Sequence, residues 1–349
     1  MMNFWKNKRV LVTGHTGFVG TWLCMVLEHF GAHVIGFSLK EEEKSLYSIV
    51  KSKLSVENYY GDLTVKNDIE KCIKNSKPEI VFHLAAYGFI RECMNDPEQA
   101  FLTNIMGTVY LMEIIGKSTS IRSIILASSD KVYKNVDAEN VRFDEEDSLG
   151  GKDPYSCSKT CEDMVLQSYF NSNLVQSEVN ASILRLSNIL GGGDHNSNRL
   201  IPSMLNSISM GILPDIRNPQ SIRPWQHILD ATDAYLYVGK MNYLRKISPM
   251  QIYNVGPNEK EVISVGEIAE IFLELSKHTE LEKTSICNDN NTIEHKFLGL
   301  NSEKINSELN WHPKKSIYET LEDVYQFFVE SSCFDVYSIC KKQIDDYYM

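Results

Sequence analysis

The stretch Lys8-Arg9-Val10-Leu11-Val12-Thr13-Gly14-His15-Thr16-Gly17-Phe18-Val19-Gly20 decides the fold. Its first six residues are a short β-rich run that ends in three glycines spaced three apart, and Thr21-Trp22-Leu23-Cys24-Met25-Val26-Leu27 continues as a helix. A second strand, His33-Val34-Ile35-Gly36-Phe37, follows, so the chain opens with a βαβ unit. In that setting the glycines read as a dinucleotide loop. Gly14 allows the tight turn, Gly17 lets backbone approach a pyrophosphate, and Gly20 lets helix pack on strand. The helix N-terminus then turns N–H groups and its positive dipole end toward the phosphates.

Apolar strands recur at Ile80-Val81-Phe82-His83-Leu84, Ser123-Ile124-Ile125-Leu126-Ala127 and Ala181-Ser182-Ile183-Leu184-Arg185, with helical patterns between them, such as Asn104 to Ile115. Near-continuous apolar strands alternating with helices predict a Rossmann-type α/β fold, a doubly wound parallel sheet covered on both faces. After residue 190 the character changes to loops, short helices and Pro-containing turns, which predicts a smaller mixed α/β C-terminal domain. Helices are expected at Ser264 to Ser276, opened by the capping box Ser264-Val265-Gly266-Glu267, at Ser302 to Leu309 and at Ser316 to Val329. The expected division is residues 1–186 for the NAD(P)-binding domain, with part of 225–256 returning to it. Residues 187–330 then form mainly the substrate domain, and 331–349 a tail, docked or loose.

The chain has 349 residues, 43% hydrophobic, and a net charge of −11. That acidity argues against a general nucleic-acid or anionic-membrane binder but leaves room for a local basic pocket. The N-terminus runs directly into a strand without a signal-peptide core, and no apolar run approaches about 18 residues. Eight scattered cysteines in a long chain without a secretory signal suit a reduced, cytoplasmic protein. Cys157 and Cys161 lack the companion ligands of a metal site and are expected to be buried helix residues; no metal is expected.

Tyr155-Ser156-Cys157-Ser158-Lys159 puts a phenol and an ammonium one helical turn apart, where Lys⁺ favours the phenolate and Tyr can move a proton. Ser128-Ser129-Asp130-Lys131 sits at the end of an apolar strand and adds an acid/base pair that simple alcohol oxidation does not need. Taken alone, Asp130-Lys131 reads as a solvated turn; its setting reverses that reading. The second strand ends in Phe37-Ser38-Leu39-Lys40, without the acid that would bind adenosine ribose hydroxyls, so NAD and NADP both stay compatible with the residues. Asp62 of Gly61-Asp62-Leu63 is either an adenine acceptor or a solvated turn residue.

Together Thr13-Gly14-x-x-Gly17-x-x-Gly20, His83-Leu84-Ala85-Ala86 and Tyr155-x-x-x-Lys159 resemble the extended short-chain dehydrogenase/reductase family of nucleotide-sugar enzymes. Within it, Val12 to Phe18, Leu149 to Ser156 and Asn188 to Gln226 resemble the CDP-sugar 4,6-dehydratase branch, which has Lys at the Lys131 position where TDP- and GDP-sugar dehydratases carry Glu. The resemblance runs from Phe4 to about Phe328.

It implies tightly held NAD⁺ and a redox-neutral conversion of a nucleotide hexose to its 4-keto-6-deoxy form, a lyase of deoxysugar biosynthesis. Tyr155 would take the C4 hydroxyl proton, Lys159 assist it, Ser129 hydrogen-bond the C4 oxygen and Asp130 protonate the departing C6 hydroxyl. Lys131 would act as the C5 base or as a fixed positive charge. Implied cofactor contacts are Gly14, Thr16, Gly17, Phe18, Val19, Gly20, Ser38, Asp62, Leu63, Leu84, Ala85, Ala86, Asn104 and Ser128, with Tyr155 and Lys159. Arg91, Asn188, Arg199, Arg217 and Arg223 would bind the substrate, most as a basic cradle for the diphosphate. Trp225 reads as core rather than a stacking platform. Relatives pair through the helix bearing Tyr155, so a homodimer is expected, with tetramers also seen. Val19, Tyr87-Gly88 and Cys93-Met94 depart from the branch's usual residues. Two other readings stand beside this one: a 4-epimerase or related oxidoreductase, which needs Tyr155 and Lys159 but not Asp130, and a non-catalytic NAD-binding regulator, which needs no proton relay.

Overall fold

A computed structural model describes residues 2–134, 141–174, 177–196, 199–212, 214, 216, 218–258, 263–276 and 297–349. The chain divides into two compact units. One comprises Met1–Lys134, Glu145–Leu186 and Thr232–Asn254; the other comprises Asn135–Asp144, Ser187–Ala231 and Val255–Met349.

The first unit is built on a seven-stranded sheet: β1 (Arg9–Thr13), β2 (His33–Ser38), β3 (Glu57–Tyr60), β4 (Ile80–His83), β5 (Ser123–Ser129), β6 (Asn180–Leu186) and β7 (Met250–Val255). The strand order is β7-β6-β5-β4-β1-β2-β3, and the pairs from β3 across to β6 run parallel. All of β4 and β6 is buried, as expected of strands covered on both faces. One face packs Leu11, Val81, Ile124 and Ile183 against Leu111, Met112 and Leu166 of the helices Gly107–Ile115 and Pro154–Tyr169. The order reverses between β1 and β4, and ligands of such sheets bind beyond the carboxyl ends of the strands at that switch point. The chain there is Gly14 after β1 and Leu84-Ala85-Ala86 after β4.

Glycine is required where these two loops meet. Gly14 has φ +75°, and a Cβ on it would stand 2.8 Å from the Ala85 nitrogen. The helix expected from Asn104 begins instead as a π-helical turn, Leu102–Met106, before continuing as Gly107–Ile115. Asn104 accepts from Tyr87 N at 2.7 Å and donates to Ser158 Oγ at 2.8 Å from that wider turn.

In the second unit the helices Leu200–Ser209, Val265–Ser276 and Ile317–Glu330 share a core that includes Met204, Leu205, Trp225, Ile268, Phe272 and Leu321. Trp225 is thus a core residue. The capping pair of Ser264 and Glu267 forms, with Glu267 N donating to Ser264 Oγ at 3.2 Å and Ser264 N to Glu267 Oε2 at 2.7 Å. The last residues are a docked helix, Val336–Tyr348, in which Tyr347 Oη donates to Asp230 Oδ1 at 2.6 Å. Asp230 also accepts from Lys314 N at 2.8 Å.

Candidate active site

Asp153 caps the helix Pro154–Tyr169 by accepting from Ser156 N at 3.0 Å, and Pro154 occupies the first turn. This start places Tyr155 and Lys159 one turn apart on the side facing the end of β5. Lys159 is 4% exposed. Its Nζ donates to Ala127 O of β5 at 2.7 Å and pairs with Glu162 three residues on. Ser129 ends β5 and is followed by a single 3₁₀ turn, Asp130–Val132, which it caps by accepting from Lys131 N at 3.2 Å. The Ser129 hydroxyl donates to Asp130 Oδ1 at 3.0 Å and also hydrogen-bonds the Tyr155 phenol. Asp130 is buried and Lys131 half-buried; among the described residues the Lys131 ammonium has no ion pair.

One expectation needs correction. The sequence predicts a Tyr155 pKa lowered by Lys159, whereas burial of the phenol outweighs Lys159 and Ser129, and Asp130 and Glu162 push further, leaving it above its ordinary value. For Lys159, burial opposes the charge, but Glu162, Tyr155 and Asp163 hold the ammonium's pKa above its usual range. Cys157 and Cys161 also differ from expectation. They are partly exposed, on the outer side of the helix rather than in the core.

Behind this pair lies a polar chain that no local sequence pattern indicates. Thr108 Oγ1 shares its proton between Asn104 O at 2.7 Å and Glu162 Oε1 at 3.3 Å, and His83 Nε2 is 3.0 Å from Thr108 Oγ1 and 3.6 Å from Glu162 Oε1. His83 Nδ1 is 2.7 Å from Thr13 Oγ1, which accepts from Ala85 N at 3.2 Å. A neutral ring accepting at Nδ1 and donating from Nε2 satisfies both threonines, and burial drives the His83 pKa down to about 3. Asp163 and Arg185 form a second buried pair at 2.9 Å. The only sequence signal for Glu162 was its i,i+3 spacing from Lys159. His83 stands in the motif His83-Leu84-Ala85-Ala86, but nothing in that motif announces its link to Thr108 and Glu162.

The candidate cofactor residues gather around the switch point. Gly17 precedes the helix Phe18–His29 without any side-chain cap, so the first-turn N–H groups face the loop. A Cβ on Gly20 would lie 2.1 Å from Gly14 O, so the helix sits directly against the turn. Thr16 Oγ1 is 2.7 Å from Ser38 Oγ, which ties the loop to the end of β2. Asp62 Oδ1 accepts from Thr64 N at 2.8 Å, and the Leu63 side chain belongs to the core. Ser128 is buried at the end of β5. Asn104 tethers the Tyr87 backbone to the helix Pro154–Tyr169. An uncapped helix N-terminus above a Cβ-free cradle fits a dinucleotide pyrophosphate.

The substrate candidates fall differently. Arg91 is exposed in the first unit on the helix Ile90–Asn95. In the second unit Asn188 opens the strand Asn188–Leu190, paired in parallel with Trp225–His227. Arg223 is 7% exposed, with Nη1 donating to Ile222 O at 2.8 Å. Arg199 immediately precedes the helix Leu200–Ser209 without capping it through its side chain, and pairs with Asp194 at 3.0 Å. Arg217 lies outside the described residues. No helix among the described residues is long and apolar enough to cross a membrane.

Comparison with known proteins adds the family. A CDP-glucose 4,6-dehydratase of Salmonella typhimurium is 35% identical, covering 99% of this chain and 97% of that protein. A UDP-glucose 4-epimerase of Pisum sativum is 25% identical over 92% of this chain and 96% of its own length. The fold is shared with a dTDP-glucose 4,6-dehydratase of Bacillus anthracis solved in complex with NAD. That likeness has a TM-score of 0.78 at 23% identity, over 93% of this chain and 97% of the other. Residues 10–256 match the NAD dependent epimerase/dehydratase family, and the chain belongs to it.

Proposed function

We propose that this protein is a nucleotide-sugar 4,6-dehydratase that uses NAD⁺ and acts on CDP-glucose. The observation that carries the reading is the buried Asp130, set with Ser129 and Lys131 at the end of β5 beside Tyr155 and Lys159. Oxidation at C4 needs only the last two; an acid next to them serves elimination.

The loop Gly14 to Gly20, with Ser38, Asp62, Leu63, Leu84, Ala85, Ala86, Asn104 and Ser128, would hold the cofactor. When bound, NAD⁺ supplies the hydride acceptor for C4 and then the donor for C6. Tyr155 takes the C4 hydroxyl proton while the Lys159 ammonium stabilises the phenolate, which offsets the cost of a buried negative charge. Ser129 hydrogen-bonds the C4 oxygen. The resulting ketone acidifies C5–H. Asp130 gives its proton to the C6 hydroxyl, which departs as water. Lys131 removes the C5 proton if neutral, or, if charged, stabilises the developing enolate while solvent water takes that proton; a proton returns to C5 as hydride enters C6. Arg91 at the sugar, and Asn188, Arg199, Arg217 and Arg223 at the diphosphate, are the proposed substrate contacts.

A 4-epimerase is the second reading, favoured by the relative from Pisum sativum. Asp130→Asn separates the two, followed by mass and by reduced-nicotinamide absorbance. A dehydratase loses water elimination and keeps slow C4 oxidation; unchanged turnover would instead support the epimerase.

We further propose a cytoplasmic homodimer. Met164 (58% exposed) on the catalytic helix and Leu102 (38%) and Met106 (37%) on the adjacent π turn provide an apolar surface for it.

A further inference from the structure

Glu162 is a buried carboxylate that the proposed mechanism leaves unused; its side chain is 1% exposed. We infer that Glu162 is a positioning residue for Lys159: it holds the ammonium in a buried ion pair and so sets how much of that charge reaches the Tyr155 phenol. This rests on reading Tyr155 and Lys159 as the proton-handling pair.

An ammonium has three donors. Ala127 O and Glu162 take two of them from opposite elements, β5 and the catalytic helix itself. Lys159 is thereby fixed with one donor left for the reaction side. The carboxylate is held in turn by Thr108, with His83 behind it, and the same chain runs through Thr13 to the backbone at Ala85. The catalytic ammonium and the loop after β4 thus share one buried network.

A neutralised pair projects a weaker field than a bare ammonium. The charged or titratable groups facing Glu162 are Lys159, Tyr155 and Asp163 on its own helix and His83 on β4. Tyr235 faces it from the helix Ile228–Tyr243. Asp130 acts on Tyr155, and Arg185 on β6 answers Asp163. Glu162 pushes the Tyr155 pKa up, so removing its charge leaves Lys159 less opposed and brings the phenol down. Burial, only partly offset by Lys159, raises the carboxyl to about 7. The pair therefore changes its net charge near neutrality.

The test compares the wild-type full chain with Glu162→Gln and Glu162→Asp. With NAD⁺ and CDP-glucose, the pH profile of C4 oxidation is read in a single turnover. Glu162→Gln is expected to move the ascending limb to lower pH by about half a unit or more, and Glu162→Asp to restore it. A purely structural role would lower the rate at every pH without moving the limb, and coincident limbs would overturn the inference.

Should Glu162→Gln not fold, Thr108→Val removes the hydroxyl whose proton Asn104 O and the same carboxylate share, and is expected to move the limb in the same direction, by less. An unmoved limb there overturns the inference too. A substrate-free arm separates this inference from the proposed function. The infrared carboxyl signal of Glu162 is expected to titrate near pH 7 and to move to higher pH in Lys159→Met. If that shift appears while CDP-glucose is not turned over, the substrate assignment fails and the inference stands. If Lys159→Met leaves the titration where it was, the pair is not coupled and the inference falls.

Discussion

His83 and Glu162 are 3.6 Å apart, and burial pushes them in opposite senses: the imidazole down to about 3, the carboxyl up to about 7. Each shift ties stability to pH. A folded His83 stays neutral where the unfolded residue would take a proton below 6.5, so its contribution is lost as pH falls from 6.5 toward 3. A folded Glu162 keeps a proton that the unfolded residue would release above 4.5, so its contribution grows as pH falls from 7 toward 4.5. Between 4.5 and 6.5 the two slopes, one proton each, oppose one another. Glu162→Gln removes one of them. Its thermal unfolding is expected to lose stability on acidification across that window faster than wild type, by roughly 3 kcal/mol at most over two pH units. Parallel Tm-versus-pH curves for the two proteins would show that these buried shifts do not govern acid stability.

At the level of elements, the glycine loop and the helix after it are one device. Gly20 lies against Gly14 O so closely that an added Cβ meets backbone at 2.1 Å, which no side-chain rearrangement relieves. Gly20→Ala is expected to cost at least about 1–3 kcal/mol and to weaken NAD⁺ binding more than tenfold. A thermal melt and cofactor titration matching wild type would contradict the tight packing.

This part of the fold was legible because glycine spacing and an apolar strand are local patterns. The strands at β1, β2, β4, β5 and β6 and the helices near 265, 303 and 317 follow from the same kind of signal. What escaped was long-range. Asn104 in its π turn, the Thr13–His83–Thr108–Glu162 chain and the Asp163–Arg185 pair join residues up to 70 positions apart, and nothing in the spacing of any one of them announces its partner. The Tyr155 pKa differs from the sequence expectation for a related reason. The neighbour Lys159 is visible in the sequence, but the burial that outweighs it is a property of the packed site.

Over the whole molecule, a chain carrying −11 net charge presents an acidic protein to a doubly negative diphosphate. The expected remedy is local, and the second unit holds Arg223 buried and Asn188 beside Pro224, whose carbonyl accepts from Asn188 N at 3.0 Å. As a homodimer the protein should sediment at twice its 39.9 kDa chain mass, and a monomer at micromolar concentration would remove that assignment.

The central claim is the elimination of water from a nucleotide hexose by Asp130, Tyr155 and Lys159. It is tested most directly by incubating the protein with NAD⁺ and, separately, CDP-, TDP-, GDP- and UDP-glucose, and weighing the products by mass spectrometry. CDP-glucose is expected to lose the mass of one water without net change in NAD⁺. A product of unchanged mass from the epimerised sugar, or loss of water only from a different nucleotide sugar, would contradict it.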